Sequence, residues 1–386
     1  MNNKKKILIC GIDGYLGFSL SLYLTRRGYE IIGVDNLLRR TMVKEVGSDS
    51  LIPISNLAKF KKIGYHIFVG RKKNITDYDF ITSLVETYQP DAIIHFAEQP
   101  SAPYSMIDAN HANFTQQNNT RGTMNLLWAV KEYSPKTHII KLGTMGEYGD
   151  KIYDKLKIPE QPEINVCYKN KNITIPTPRW ASSFYHWSKV FDSFNLHFAS
   201  KLWNLKVTDL NQGIVYGDKI DEMNKDYLRT RFDYDGIFGT VLNRFIVQAI
   251  KGLPLTVYGE GGQTRGYINI NDTMRCIELV INNSAKQGEF RVFNQLTEVI
   301  SINDLAYMVK KFGDKQGLKV KIVHIKNPRQ EKEKHCYKPV YLGLKKLGLK
   351  PRKMINIIPE MLKGIKPYKK FIKEDVILSK IKWQKD

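Results

Sequence analysis

Cysteine is scarce in this chain. Four of its 386 residues are cysteine, namely Cys10, Cys167, Cys276 and Cys336, all far apart and none in a C-x-x-C pair. That excludes a disulfide framework and a cysteine zinc site, and no metal centre is expected. Acidic residues are also short, 38 Asp and Glu against 60 Lys and Arg, which leaves a formal charge of +22. The partner is therefore an anion, with nucleic acid, anionic membrane and phosphorylated metabolites all open at this point. No run of 18 apolar residues occurs, which excludes a transmembrane helix. Lys4, Lys5 and Lys6 before ILICGI imitate a signal peptide, yet Asp13 and three glycines break the apolar run, and the stretch reads as a strand and a turn. The expectation is a cytoplasmic protein without membrane insertion. What is present suffices for a large core: 42% of residues are hydrophobic and 11% aromatic, which excludes wholesale disorder.

Apolar runs bounded by polar, Gly or Pro residues fall at 6–12, 30–35, 65–69, 92–97, 138–143 and 206–210. Helical patterns lie between them, notably over 113–133 and 183–203. Alternation of this kind predicts a doubly wound parallel α/β sheet through about residue 217. Residues 218–238 are charged and aromatic without periodicity. A helix over 239–251 follows, then a strand, a glycine-rich loop and a second strand in LTVYGEGGQTRGYININDT. The last stretch, 301–386, is lysine-rich but keeps helical patterns at 301–312 and 355–364, as a folded lobe does.

Two constellations carry chemistry. Gly11-x-x-Gly14-x-x-Gly17 stands between a strand and a helix, where glycine permits the tight turn and lets the backbone approach a pyrophosphate at the helix N-terminus. Asp35 ends the next strand, 18 residues beyond Gly17, where a carboxylate can hold a ribose diol and repel a 2′-phosphate. The reading is NAD rather than NADP, although Arg39 and Arg40 could accept that phosphate. The second is Tyr185-His186-Trp187-Ser188-Lys189. Positions i and i+4 share a helix face, so phenol and ammonium converge, and the cation is expected to lower the tyrosine pKa toward use as a base. Thr144, after an upstream strand, completes a Thr/Tyr/Lys set.

These groups sit within long, idiosyncratic runs: HFAEQPSAPYSMID (95–108), KLGTMGEYG (141–149), ASSFYHWSKVFDS (181–193), LNQGIVYG (210–217), RFDYDGIFGTVLNRF (231–245), PLTVYGEGGQTRGYININDT (254–273) and EFRVFNQLTE (289–298). With them the chain resembles the extended short-chain dehydrogenase/reductase family, and within it the branch that builds sulfoquinovose on a UDP carrier. The resemblance implies a Rossmann-type sheet with a smaller C-terminal substrate-binding lobe. Residues 1–217 would form the NAD-binding domain, with strands returning around 255–295, and 218–386 mainly the UDP-sugar lobe. It implies UDP-glucose and sulfite as substrates, tightly bound NAD, 4-keto and 4-keto-5-ene sugar intermediates, and a product that feeds sulfolipid or a sulfated glycan. A UDP-sugar 4-epimerase or 4,6-dehydratase of the same family is the alternative.

Residue by residue, the resemblance makes Thr144, Tyr185 and Lys189 catalytic. Related 4,6-dehydratases place Asp-Glu directly after the threonine. Here Met145-Gly146 stand there, so His186, and less so Glu147, become candidates for helping the C6 hydroxyl leave, with Met145 packed on the sugar. The cofactor positions implied are Gly11, Gly14, Tyr15, Leu16, Gly17, Asp35, Asn36, Arg39, Arg40, Asn74, Ile75, His95, Phe96, Ala97, Glu98, Asn119, Leu142, Tyr185, Lys189 and Gln212. Asn74 replaces the family's usual Asp, and its amide carbonyl can accept the same adenine hydrogen bond. The UDP-sugar positions implied are Thr144, Gln212, Tyr216, Arg231, Tyr234, Asn243, Thr256, Val257, Tyr258, Gln263, Arg265, Arg329 and Glu331. Pro100 stands where the family pattern has an arginine. A homodimer, built from the 113–133 and 183–203 helices, is expected, and nucleic acid is not an expected partner.

Overall fold

The computed structural model describes residues 4–54, 57, 66–149, 152–153, 156–225, 228–327, 338–381 and 383. Arg329, Glu331 and Cys336 lie outside the described residues. Seven parallel strands form the central sheet, in the order β3 (His66–Val69), β2 (Glu30–Asp35), β1 (Lys6–Cys10), β4 (Ala92–His95), β5 (His138–Thr144), β8 (Lys206–Gln212) and β12 (Phe290–Gln295). Two more strands, β6 (Glu163–Tyr168) and β7 (Lys171–Pro176), make an exposed antiparallel hairpin. Sequence reading missed it because neither face is buried. Its turn residues Lys169 and Asn170 both take positive φ, 46° and 61°, the twist a tight hairpin needs.

Helices cover both faces of the sheet: α1 (Tyr15–Thr25), α2 (Leu38–Glu45), α3 (Tyr78–Tyr88), α4 (Ala109–Tyr133), α5 (Phe184–Leu202) and, later, α7 (Ile270–Asn282). Two apolar cores result, one around Ile7, Ile9, Phe18 and Ile277, the other around Leu8, Ile93, Leu126 and Val207. Alternate β1 residues thus feed opposite faces. Helix α4 begins four residues before the predicted 113, because Asp108 accepts a hydrogen bond from His111 N at 2.9 Å and caps it there.

The chain then builds a third core around Phe245, Leu305, Met361 and Leu362. It is walled by α6 (Val241–Lys251), α8 (Ile302–Lys315) and α10 (Met354–Ile365), with the short α9 (Gly343–Lys346) nearer the main sheet. Within 255–295 only β12 enters the seven-stranded sheet. Strand β10 (Leu255–Tyr258) pairs with β14 (Ile322–Ile325), and β11 (Thr264–Asn269) lies between β9 (Ile214–Tyr216) and β13 (Glu298–Ser301). Strand order reverses between β1 and β4. A crevice must therefore open at their carboxyl ends, and this is where the site lies.

Candidate active site

Two adjoining cavities, of about 330 and 410 Å³, open at that crevice. The first runs along the β1–α1 turn. Gly11 has φ +93°, and a Cβ there would lie 2.9 Å from Phe96 C; a Cβ on Gly17 would lie 2.8 Å from Gly11 C. Only glycine closes this turn. Gly14 caps α1 without a side-chain hydrogen bond, which leaves the helix N-terminus to the cavity. Asp35 accepts hydrogen bonds from Asp13 N (2.9 Å) and Leu37 N (2.7 Å). Burial and the nearby Asp13 carboxylate push its pKa up to about 6.

The two arginines after Asp35 take different places. Arg40 grips Asp13 through Nε and Nη2, each at 2.6 Å, and lies outside the cavities. Arg39 reaches across to Asp233 at 2.6 Å, with its guanidinium 3.8 Å from the Phe238 ring centroid. The expected place of Arg40 at the ribose is corrected by Asp13, which claims its guanidinium, whereas Arg39 borders the first cavity beside Asp35 and Asn36.

Thr144, Tyr185 and Lys189 come together where the cavities meet. Thr144 and Tyr185 border both, Lys189 the first. Ser183 caps α5 by accepting from His186 N, and so fixes the first turn that carries Tyr185 and His186. Lys189 Nζ donates to Leu142 O at 2.6 Å and pairs with Glu98 at 2.5 Å. This pair changes the electrostatics expected of the tyrosine. Burial and the Glu98 carboxylate push the Tyr185 phenol above its ordinary value rather than below it.

Below α5 lies a buried charge cluster that sequence reading missed. Lys141 is fully buried in mid-strand β5 and donates to Lys189 O (2.9 Å), Ser193 Oγ (2.7 Å) and Glu147 (3.3 Å). Glu147 also takes Arg179 and the Thr144 N–H at 3.2 Å. A lysine inside the apolar run HIIKLG was the available signal. Glu147, wholly buried among these groups, borders neither cavity, so its candidacy for the C6 hydroxyl is corrected. His186 does border the second cavity, its Nδ1 3.0 Å from Ser183 Oγ. Its ring fills the space a side chain at 146 would need: a Cβ on Gly146 would lie 2.5 Å from His186 Cδ2 and nearer still to Nε2.

Of the other cofactor positions, Tyr15, Leu16, Asn36, Asn74, Ile75, Phe96, Ala97, Glu98, Leu142 and Gln212 border the first cavity. His95 and Asn119 do not, and their expected contact with the nucleotide is corrected. The His95 ring turns away to Thr123 at 3.0 Å, and burial pushes its pKa down to about 4. Asn119 accepts from Gln99 N (2.8 Å) and donates to Ser188 Oγ (3.0 Å), tying the β4 loop to α5. Of the sugar positions, Met145, Tyr258, Gln263 and Arg265 border the second cavity, Gln212 both, and Arg231 and Asn243 the first. Tyr216, Tyr234, Thr256 and Val257 face the lobe's interior instead. Tyr216 Oη lies 3.4 Å from Glu298, Tyr234 accepts from Lys373 N, Thr256 accepts from Gln248, and Val257 is core. Of the three expected β10 residues, only Tyr258, at the strand's end, reaches the cavity, because Gln248 holds Thr256 and the lobe core holds Val257. The sequence reading also missed Arg244, which borders the second cavity 4.3 Å over the Tyr258 ring.

A parallel sheet with this switch point, a glycine turn and a Thr/Tyr/Lys set define a dinucleotide-dependent enzyme acting on a hydroxyl-bearing substrate. The chain belongs to the NAD dependent epimerase/dehydratase family, whose model matches residues 7–294. It is 45% identical over 396 residues to the chloroplastic UDP-sulfoquinovose synthase of Spinacia oleracea, spanning 100% of this chain and 80% of that one. It is 46% identical over 391 residues to UDP-sulfoquinovose synthase of Sulfolobus acidocaldarius, spanning 98% of each. Among solved structures it is similar in fold to UDP-glucose 4-epimerase of Thermotoga maritima in complex with UDP-glucose. The TM-score is 0.69 at 21% identity, covering 94% of this chain and 99% of that one. UDP-glucuronic acid 4-epimerase of Bacillus cereus, with UDP-glucuronic acid and NAD, gives 0.64 at 20% identity, covering 95% and 99%. NAD is the cofactor, and the residues fit it: the side-chain-free turn at Gly11 and Gly17 leaves room for a pyrophosphate, and Asp35 stands at the ribose end of the same cavity.

Proposed function

We propose that this enzyme converts UDP-glucose and sulfite to UDP-sulfoquinovose. The reading is carried by 45–46% identity to two UDP-sulfoquinovose synthases over essentially the whole of this chain. The chemistry balances as UDP-glucose plus hydrogen sulfite giving UDP-sulfoquinovose plus water. Bound NAD would supply a reversible hydride acceptor for C4 of the sugar, with no net oxidation over the cycle. Tyr185, hydrogen-bonded with Thr144 to the C4 hydroxyl, takes its proton and later restores it. For Tyr185 to do so Lys189 must release Glu98 and turn toward the nicotinamide ribose, which brings its charge to the phenol and lowers the phenol's pKa. The C5 proton and the C6 hydroxyl leave together as water, with His186 taking the proton and passing it to the departing oxygen, and a 4-keto-5-ene remains. The sulfur lone pair of sulfite forms the C6–S bond, and the alkene pair collects a proton at C5. Gln263, Tyr258, Arg244 and Arg265 line the cavity that takes the UDP-sugar, with diphosphate suited to the arginine forks.

The working unit is a homodimer through α4 and α5. Phe191, Phe194 and Phe198 are 46%, 39% and 66% exposed along one side of α5, and Trp128 on α4 is 37% exposed. It works in the cytoplasm, where Cys10, Cys167 and Cys276 stay reduced thiols. The deciding experiment is incubation of the purified protein with UDP-glucose and radiolabelled sulfite. A sulfur-labelled sugar nucleotide is expected. UDP-galactose or a 4-keto-6-deoxy sugar, with no label incorporated, would establish the epimerase or dehydratase alternative instead.

A further inference from the structure

The charge cluster beneath α5 borders neither cavity, yet its bonds run to the two elements that carry Thr144 and Lys189. Lys141 Nζ, as an ammonium, has three N–H donors. Three acceptors stand around it: Lys189 O, Ser193 Oγ and Glu147 Oε1, at 2.9, 2.7 and 3.3 Å. Asp209 Oδ1 adds a second negative charge at 3.8 Å. Lys141 and Arg179 balance Glu147 and Asp209, so the cluster needs no ligand to neutralise it. Burying four charges is costly, and a well-packed apolar set of the same size often serves stability as well or better. A core that had only to hold the sheet to α5 has no need of them.

What the cluster holds against α5 is the segment Lys141-Leu142-Gly143-Thr144. The exchange is reciprocal. Lys189 on α5 donates from Nζ to Leu142 O on β5 at 2.6 Å, and Lys141 on β5 donates from Nζ back to Lys189 O. Gly143 leaves room for the carboxylates: a Cβ there would run into Asp209 Oδ1 and Asn211 Oδ1 and lie 3.1 Å from Glu147 Oε1. Glu147 Oε1 accepts the Thr144 N–H at 3.2 Å, where β5 ends and the threonine enters the site. Ser193, one turn of α5 beyond Lys189, places its Oγ 2.6 Å from Asp209 Oδ2 and 2.9 Å from Glu147 Oε2.

We infer that Lys141 is a positioning residue for proton and hydride transfer at C4, acting directly on the backbone of Lys189 and through Glu147 on the backbone of Thr144. The inference rests on the roles given above to Thr144, Tyr185 and Lys189. The Lys189 side chain has to swing from Glu98 to the nicotinamide ribose, and its backbone has to stay still while it does. Lys141 holds that backbone from outside both cavities, where no ligand competes for it. The same ammonium acts on the phenol at a distance. The ionisable groups around Tyr185 are Glu98 after β4, Lys141 on β5, Arg39 on α2, and His186, Lys189 and Asp192 on α5. Lys141 and Arg39 favour the ionised phenol, while Glu98 and Asp192 oppose it. Lys141 is thus a fixed positive charge behind the base, in place before and after Lys189 moves.

The test uses the NAD-loaded enzyme, Lys141→Met, and Lys141→Met combined with Asp209→Asn. The combination removes one charge of each sign and leaves the cluster neutral. Ser193→Ala takes away one of the three acceptors without adding bulk, and it carries the test if neither of the others folds. The measurements are bound NAD, melting temperature, the rate of nicotinamide reduction on mixing with UDP-glucose, UDP-glucose KM, and kcat against pH. In the neutral double variant nicotinamide reduction is expected to slow about 10–100-fold, the scale of a catalytic group displaced by up to about 1 Å. Bound NAD is expected to be retained and UDP-glucose KM to stay within about three-fold. The acid limb of kcat is expected to move to higher pH, because Tyr185 loses a cation that favours its ionised form. Ser193→Ala is expected to slow the same step about three- to ten-fold. A parent-like rate with an unmoved acid limb, in the folded double variant or in Ser193→Ala, would overturn the inference and leave the cluster a buttress. A loss confined to bound NAD or to UDP-glucose KM would overturn it as well. If the parent enzyme never reduces its nicotinamide with UDP-glucose, the roles of Thr144, Tyr185 and Lys189 themselves fall, a result seen before any variant is made.

Discussion

Gly146→Ala tests whether His186 stands where it does for a chemical reason. One methyl group is added. Its carbon would lie 2.5 Å from His186 Cδ2, against an ordinary contact of 3.4 Å or more, so the ring must move by roughly 1 Å. The ring can give, because it borders the second cavity on one side. Overpacking should therefore cost little stability, about 1 kcal/mol, at the low end of the roughly 1–3 kcal/mol typical of a closed core. Activity is another matter. A catalytic group misplaced by about 1 Å costs on the order of 100-fold. The expected result is a melting temperature within about 3 °C of the parent and sulfite-dependent turnover down roughly 100-fold. The double variant sharpens the reasoning. In a His186→Ala background there is no ring to displace, so adding Gly146→Ala should change turnover by less than about two-fold. Full additivity of the two losses, or a Gly146→Ala enzyme within three-fold of the parent, would refute the idea that the glycine exists to admit the imidazole. The assay is labelled-sulfite incorporation, with circular dichroism melts alongside.

Tyr185→Phe should retain bound NAD after purification and lose about 10²–10⁴-fold in turnover, the range for a positioned proton-transfer group; nicotinamide absorbance and product formation check both halves. Asp35 is a pH marker for the NAD-free chain. Its folded pKa is raised to about 6, so the native state binds its proton more tightly than the unfolded one. The stability it contributes is full below its ordinary carboxylate value and is lost as pH rises toward 6, by about 3 kcal/mol at most. Urea melts should show Asp35→Asn with a flatter pH profile across that window, and identical slopes would refute the shift. Phe194→Asp, on the exposed side of α5, should turn a dimer into a monomer in analytical ultracentrifugation at micromolar protein, with the melting profile retained.

The main sheet was legible from sequence because a strand buried on both faces reads as a short unbroken apolar run. Each of the predicted runs at 6–12, 30–35, 92–97 and 138–143 contains a strand of the final sheet. Helix α5 was legible for the same kind of reason, with its Tyr185 to Lys189 spacing placing both groups on one face. The hairpin at Glu163–Pro176 was illegible because exposed strands lack that signature. Side-chain partners were the larger gap. Arg40 and Arg39 stand beside Asp35 in sequence, but Asp13 and Asp233, 27 residues before and 194 residues after, decide where they point. Glu147 follows Thr144 closely, yet Lys141, Arg179 and Ser193 draw it under α5. Long-range electrostatics of this kind leaves no mark on local spacing.

The same distinction between sequence and space resolves the charge. Of the net +22, the last 86 residues hold 23 basic against 8 acidic side chains. Among the described residues every lysine from Lys311 onward is exposed. Inside the site the arithmetic is different. Arg40 is matched by Asp13, Lys189 by Glu98, and Arg39 with Arg231 by Asp233. Exposed lysines on a mobile four-carbon stem are screened within about 8–10 Å at physiological salt and hold no ligand in register. What they can do is raise the local concentration of a diphosphate and of sulfite near the lobe. Binding geometry is then set by a few buried arginine forks. The excess charge is accordingly a property of encounter rather than of fit.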